Sequence, residues 1–377
     1  MPAASSVTGT FSGGTTYREM TAGRGNAPGR TARAQTLVVQ TQPGLGALTE
    51  ADFRGQVRIE DGATIAESRR AVYKVAQDRF ELVPSTADSG PAPTVTDERM
   101  NVSARTIVFS VEGQKLQAEG DVRSAIQPES GSATPAGRGQ QPDGGKARTT
   151  EGGKLPALLK DGEPVNVTAK RLDYDGAAGL ATYTGNALLF QNKTSIRAET
   201  IVIDDQKGNL TARGNVRSVI FMEEMDAATK TPQLVQTTAT GDSLVYEDAE
   251  RLATYTTGPT AKAHLVGTQG DVTGDRIRLF LEEQTNALKR AEAEQKVTLK
   301  EGVRVATGDH LTYTPATETY VMQGRPVIIE EKIPGDCRIV EGVQVTFQKA
   351  AGSQTAEEMR AKSDGVLPVN VRPCGGR

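Results

Sequence analysis

A chain of 377 residues with 36% hydrophobic residues, 4% aromatics, no Trp, 40 Gly and 18 Pro has the profile of many short strands joined by turns, not of a compact helical enzyme. The formal charge is −3 and the sequence pI is near 5.7, so no basic stripe points to nucleic acid. No run approaches the roughly 18 apolar residues of a membrane span, and the start MPAASSVTGTFSGG has neither a basic opening nor an apolar segment.

Residues 1–30 are rich in Gly, Thr, Ala and Arg and read as an irregular lead-in. From Thr31 an imperfect strand repeat begins. ARAQTLVVQ is followed by a turn with Pro43 and Gly44, then by ADFRGQVRIEDGATIAESRRAVYKV and FELVP; Ala34 and Gly55 are related as i and i+21. A Ser/Pro/Ala/Thr loop runs from Pro84 to Thr96. NVSARTIVFSVEGQKLQAEGDVRSAI then sets Ala104 and Gly120 at i and i+16. Residues 127–164 are a low-complexity segment of Pro, Gly, Ser, Gln and Thr, too poor in apolar residues to fold, and read as a flexible linker or a long excursion from the sheet edge.

Residues 165–220 state the repeat twice. Ala169 opens a strand closed by Gly185-Asn186, and Ala198 opens one closed by Gly214-Asn215. Alanine and glycine stand at i and i+16 in both copies, and the second copy follows the first at i+29. Such a period signals units that bury their apolar faces on their neighbours. Met222 to Gln236 reads as a polar loop. Strand patterns resume through TATGDSLVYEDAERLATYTTGP and DVTGDRIRLFLEEQTNALKRAEAEQKVTLKEGVRV. Glu282–Gln295 is rich in helix formers, but Gly274 aligns with the other openers, and strand–turn–strand is preferred. Gly308 and Gly324 give a fourth i, i+16 pair, and beyond Phe347 no strand pattern is visible. The expected division is therefore lead-in 1–30, first β unit 31–126, linker 127–164, second β unit 165–348 and tail 349–377.

Within each copy the inward-facing set slips by an odd step: Val167 and Ala169 share a face, then Leu172 and Tyr174; Ile196 and Ala198, then Ile201 and Ile203. Because side chains alternate along a strand, an odd step requires a bend or bulge, and its recurrence predicts a corner in every copy. The small opener leaves room for it, and the Gly-Asn and Gly-Asp pairs suit backbone with positive φ.

This pattern, carried by Ala169, Leu172, Tyr174, Gly185, Asn186, Ile196, Ala198, Ile201, Gly214, Asn215 and Val216, resembles the organic-solvent-tolerance (OstA-like) family, the periplasmic lipopolysaccharide-transport proteins LptA and LptC. The resemblance is clear over about 165–220, recognisable at 101–126 and 239–330, and weak before residue 100. It implies an all-β fold, an open, antiparallel, folded-over β-jellyroll built of repeats, whose apolar groove shields the lipid A acyl chains while the sugars stay in water. It implies periplasmic location, lipopolysaccharide as cargo, and edge-strand pairing with other jellyroll proteins of the bridge or with another copy. This chain is much longer than one such domain, which leaves an LptA role, an LptC role and a fusion of both open. On this reading the candidate groove-lining residues are Leu172, Tyr174, Leu189, Ile196, Ile201, Ile203, Leu210 and Val216; the competing reading is that they fill a closed β core.

No catalytic constellation, cofactor motif or metal set is expected. His264 and His310 have no Cys or second His at ligand spacing, and no Gly-x-Ser-x-Gly elbow or phosphate loop occurs. Asp173-Tyr174-Asp175-Gly176 and Asp204-Asp205 lack the calcium-loop pattern and read as turns. Cys337 and Cys374 either form a disulfide or remain two free thiols. Two rivals to transport remain: a structural or adhesive β-solenoid without lipid cargo, and a β-helix polysaccharide-active enzyme, which the low aromatic content disfavours.

Overall fold

The computed structural model describes residues 6–19, 29–84, 90–110, 114–127, 154–160, 162–225, 231–258, 262–268, 270–283, 287–333, 335–348, 359–363 and 370–374. The chain forms two compact units. The first comprises residues 1–155, 160–189 and 202–206, the second 156–159, 190–201 and 207–377. Most of the expected linker, 128–153, lies outside the described residues.

In the first unit, β1 (Val7–Arg18), β2 (Thr31–Thr41), β3 (Leu48–Asp61) and β4 (Thr64–Lys74) form an antiparallel meander. They are followed by β5 (Arg79–Val83), β6 (Thr94–Thr96), β7 (Met100–Ser103), β8 (Thr106–Ser110), β9 (Lys115–Ile126), β10 (Val165–Asp175) and β11 (Leu180–Gln191), the last crossing into the second unit at its end. Next come β12 (Thr194–Asp204), β13 (Asn209–Met225), β14 (Pro232–Glu247), β15 (Leu252–Thr256), β16 (Ala263–Gly267), β17 (Gly270–Gly274), β18 (Arg276–Leu281), β19 (Leu288–Glu301), β20 (Arg304–Thr314), β21 (Thr319–Ile333), β22 (Asp336–Gln348), β23 (Arg360–Lys362) and β24 (Asn370–Pro373). Every pairing is antiparallel, and the only helical pieces among the described residues are three single 3-10 turns, at Val75–Gln77, Asp248–Glu250 and Pro315–Thr317.

The predicted corner is present, and its seat is sharper than the sequence indicated. The pairs Gly55-Gln56, Gly120-Asp121, Gly185-Asn186 and Gly214-Asn215 all have positive φ at both residues, two consecutive left-handed residues that shift the register of the ladder. The glycine packs against the residue that follows the opener of its own copy. A Cβ on Gly120 would lie 2.9 Å from Cβ of Arg105, on Gly185 2.7 Å from Cβ of Lys170, and on Gly214 2.8 Å from Cβ of Glu199. The i, i+16 spacing is thus a hairpin dimension: it is the chain length from the opener, round the turn, to the point where the returning strand crosses it.

The corner divides the long strands into two arms. β4 pairs with β5 through Arg70–Lys74 and with β6 through Ile65–Glu67; β9 pairs with β8 through Lys115–Glu119 and with β7 through Arg123–Ile126. In the second unit β14 divides likewise between β15 and β16, and β19 between β18 and β17. Buried residues slip face at each corner, from Ala198 to Ile201 and from Ala306 to Leu311. Each unit is a sheet folded over an apolar interior, as the repeat predicts, and the fold is the all-β open jellyroll that the family resemblance implies.

Several local expectations are corrected. The lead-in 1–30 contains β1, whose Ser, Thr and Gly hide the alternation; the ladder to β2 satisfies its backbone, and Gly13-Gly14, both with positive φ, make its corner. The loop Pro84–Thr96 ends in β6, and the polar loop Met222–Gln236 holds the end of β13 and the start of β14, where pairing partners override weak patterning. The tail beyond Phe347 contributes β23 and β24, both supported by β22. In Glu282–Gln295 the strand reading holds, since β19 begins at Leu288.

Candidate functional site: the interior between the arms

Alternation places one face of every strand in the interior, and the corner presents the two arms to each other. In the first unit Leu172 and Leu189 are fully buried, Ile203 is 1% exposed and Tyr174 is half-buried; burial, with a smaller contribution from the Asp205 carboxylate, pushes the Tyr174 phenol up. In the second unit Ile196, Ile201 and Leu210 are fully buried and Val216 is 2% exposed. Leu172 faces Ala118 across β9–β10, and Leu210 faces Tyr246 across β13–β14. Seven of the eight predicted lining residues are thus buried, and Tyr174 is half-buried.

Aromatic ladders extend both interiors. In the first unit Tyr73 stacks on Phe80 at 4.3 Å and Phe80 on Phe109 at 5.3 Å; Arg30 sits 5.4 Å from the Tyr73 and Phe80 rings. The Arg30 guanidinium donates to Asp61 and Asp78, each at 2.8 Å, and to the Tyr73 hydroxyl at 2.9 Å. The second unit has the counterpart: Tyr313 on Tyr320 at 4.5 Å, Tyr320 on Phe347 at 5.1 Å, and Arg304 beside Phe347, paired with buried Glu331 at 3.0 Å. These ladders were not singled out from the sequence, because their members lie on neighbouring strands of the sheet rather than in one segment.

A second missed feature had a legible signal. GDVRSAI at 120–126 and GNVRSVI at 214–220 repeat each other, as do LATYT at 180–184 and at 252–256. Each pair of motifs makes one buried hydroxyl contact between the arms: Ser124 Oγ to Tyr183 Oη at 2.7 Å, and Ser218 Oγ to Tyr255 Oη at 2.7 Å. Burial pushes the Tyr255 phenol up to about 12 and raises that of Tyr183 as well, so both remain protonated and either hydroxyl can donate.

The interior holds little free space. A void of about 10 Å³ lies between the arms of the second unit, lined by Leu265 and Val272 on one arm and by Ile277, Ala293, Leu311 and Tyr320 on the other; that is room for about one water. A hollow of about 920 Å³ in the first unit has a mixed lining, with Gln35, Arg54, Arg58, Glu67, Arg69 and Arg70 beside Val57, Pro84 and Pro91. Its arginines are largely engaged: Arg54 and Arg70 hold Asp52, and Arg58 holds Glu60 and Glu67.

The remaining candidates resolve into ordinary structural contacts. His264 pairs with Asp271 at 2.7 Å and His310 with Thr312 at 3.2 Å. Asp173 accepts from Arg171 and Gln117, which holds its carboxyl below the usual range, and Asp205 accepts from Arg99. Cys337 and Cys374 are joined as a disulfide with Cα atoms 5.3 Å apart. Together with Glu330 they form the one cluster of potential metal ligands among the described residues, and the bond occupies both sulfurs.

The model of the family described as LptA/(LptD N-terminal domain) LPS transport protein matches residues 166–285 and 264–353. Residues 166–353 belong to that family. Among solved structures, the chain is similar to LptH, the LptA homologous periplasmic component of the conserved lipopolysaccharide transport device from Pseudomonas aeruginosa. Identity is 17%, over 35% of this chain and 82% of that one, with a TM-score of 0.27. No curated protein matches the chain. For this LPS-transport family member, the matched stretch runs from β10 to β22; its corner residues Ala169, Gly185, Ala198, Gly214 and Gly308 were read from the sequence, and its pin residues Ser218 and Tyr255 from the structure.

Proposed function

We propose that this chain is a segment of a periplasmic bridge that carries lipopolysaccharide between the inner and outer membranes, taking the lipid A acyl chains between the arms of its folded sheet. The observation that supports the reading most directly is the composition of the interior: along both units most inward positions are aliphatic or aromatic, copy after copy, with Leu172, Leu189, Ile196, Ile201, Ile203 and Leu210 in series along the chain. Each acyl CH₂ removed from water gains about 0.8 kcal/mol, so a lipid with several chains does not cross an aqueous compartment unaccompanied. Similar side chains in each copy keep the bound lipid at nearly constant free energy from one copy to the next, which permits sliding.

Because the arms are packed, uptake requires them to part. The cost is the loss of arm-to-arm contacts such as Ser218–Tyr255, and the gain is replacement of those contacts by acyl chains. Edge strands supply the partner contacts, through main-chain pairing with other jellyroll proteins of the bridge. The chain acts as a carrier, with no covalent step.

The test is photo-crosslinking from a benzophenone side chain at Ile201 or Ile203, compared with the exposed positions Arg197 and Glu199. Crosslinks to lipid A from the buried positions are expected. Crosslinks from Arg197 and Glu199 alone, together with native mass spectra free of co-purified amphiphile, would favour the closed structural solenoid.

A further inference from the structure

The two edges that the described strands leave for partners are built differently. Among the described residues, β1 pairs only with β2, so a strand of 12 residues presents a free row of backbone groups. The outer edge of β22 is covered. β24 pairs with Arg338–Glu341 and β23 with Gln344–Thr346, a two-piece lid of 4 and 3 residues.

The lid buries almost nothing of its own. Asn370, Val371 and Pro373 of β24 are exposed, Val371 at 62%, and in β23 only Ala361 is half-buried. Isolated strands this short do not persist on backbone pairing alone. Beyond its backbone pairing, β24 is held through Arg372, which reaches Glu341 at 3.0 Å in a part-exposed pair of modest worth, and through the disulfide from Cys374 to Cys337, beside which Cys374 N donates to Cys337 O at 3.0 Å. The covalent bond is the dominant restraint.

We propose that the Cys337–Cys374 disulfide latches a lid over the β22 edge, closing it to strand addition, and that opening the latch turns β22 into a docking edge for β1 of a second copy. Latched, the described strands leave one available edge, β1, where the chain joins a partner without polymerising with itself. The occupant follows from shape. β22 turns its corner at Gly342, between the two stretches the lid covers. β1 is bent already, its two arms Val7–Ser12 and Thr15–Arg18 meeting at Gly13-Gly14. A straight strand would pair with one arm of β22 only, whereas a strand carrying its own corner follows both. This rests on reading the edges as partner surfaces, and it is independent of whether the interior takes lipid.

The experiment is sedimentation velocity of the full chain over about a hundredfold range of concentration, where mass action exposes self-association. The oxidised protein is compared with the protein treated with dithiothreitol and with the Cys337→Ser/Cys374→Ser variant. Dithiothreitol supplies two electrons and two protons, closing to its own cyclic disulfide while both cysteines become thiols. Oxidised protein is expected to stay monomeric, and both opened forms to at least double their weight-average mass as concentration rises. Thr10→Pro/Thr16→Pro in β1, which removes edge donors, is expected to return the opened forms to monomer.

Self-association of the oxidised protein, opened protein that stays monomeric, or association that survives the β1 prolines would each overturn the proposal. Hydrogen exchange guards against misfolding: opening the latch should release protection at β24 and at Arg338–Glu341 with β21 unchanged. If the double serine variant loses protection throughout β21, the dithiothreitol-treated wild type, which carries no substitution, decides. Loss of lipid crosslinking with the latch behaviour intact would count against the carrier reading alone.

Discussion

Replacing Gly214 by alanine tests whether the i, i+16 spacing is a packing dimension or a turn preference. Gly214 has φ +80°, and a Cβ there would lie 2.8 Å from Cβ of Glu199, on a strand rather than at the end of a flexible side chain. Left-handed backbone costs a non-glycine residue about 1–2 kcal/mol, and overpacking against a constrained neighbour about 1–3 kcal/mol more. The expected loss is therefore about 2–4 kcal/mol, taking the lower part of each range as the strands relax. Gly302 is the control in the same unit: its φ is +53° and nothing lies within 4 Å of the Cβ position, so Gly302→Ala should cost the backbone term alone, about 1–2 kcal/mol. Urea unfolding followed by circular dichroism gives both numbers, with the m-value checking that the transition is comparable. Equal losses for the two variants would show that the backbone angle alone matters and would refute the close-approach argument. The chain contains a natural counterpart: where the bulge carries Gln295 and Lys296 in place of a glycine, the facing strand ends on Gly274, which packs on the Glu294 backbone.

Tyr255→Phe should cost about 1 kcal/mol, the ordinary net worth of a hydrogen bond, plus the penalty of stranding the buried Ser218 hydroxyl, whose other contact is a long one to Ala239 O at 3.4 Å. Tyr255→Phe/Ser218→Ala should recover part of that loss, and a double-mutant cycle by urea unfolding measures how much. The same tyrosine predicts an alkaline limit. Burial raises its folded pKa to about 12 while the unfolded phenol titrates near about 10, so its contribution is intact below about pH 10 and falls as pH rises toward 12; phenolate absorbance against pH checks it. Asp52 predicts an acid limit. Burial opposes ionisation there, but hydrogen bonds from Arg70 and Arg54 prevail and hold the carboxyl below its usual range. Its contribution is therefore present above the unfolded carboxylate pKa of about 4 and is lost as pH falls through the lower folded value. Asp52→Asn should cost about 1–2 kcal/mol, since both arginines are about half exposed and screened, and should flatten the loss of stability on acidification measured by thermal melts.

The family's corner was legible because it is a local event. Odd steps in the inward set, a small opener and a Gly-Asn or Gly-Asp closer are written within single hairpins, and Ala169–Gly185 and Ala198–Gly214 carry them at one spacing. From those residues follow the strand type, the bend, the positive φ at the glycines and the inward placement of Leu172, Ile196, Ile201 and Ile203. Where glycine and threonine dilute the alternation, as in β1, the strand exists only because β2 offers a ladder, and no property of Val7–Arg18 by itself announces it. The aromatic ladders and the Ser–Tyr pins were decided by the tertiary structure, because their members meet across strands dozens of residues apart, as Ser124 and Tyr183 do. The same holds for the edges. Sequence places Cys337 and Cys374 in one chain, but only the fold brings their Cα atoms to 5.3 Å and lays Asn370–Pro373 on β22, since a loop closes on whichever strand edge the rest of the sheet has left open.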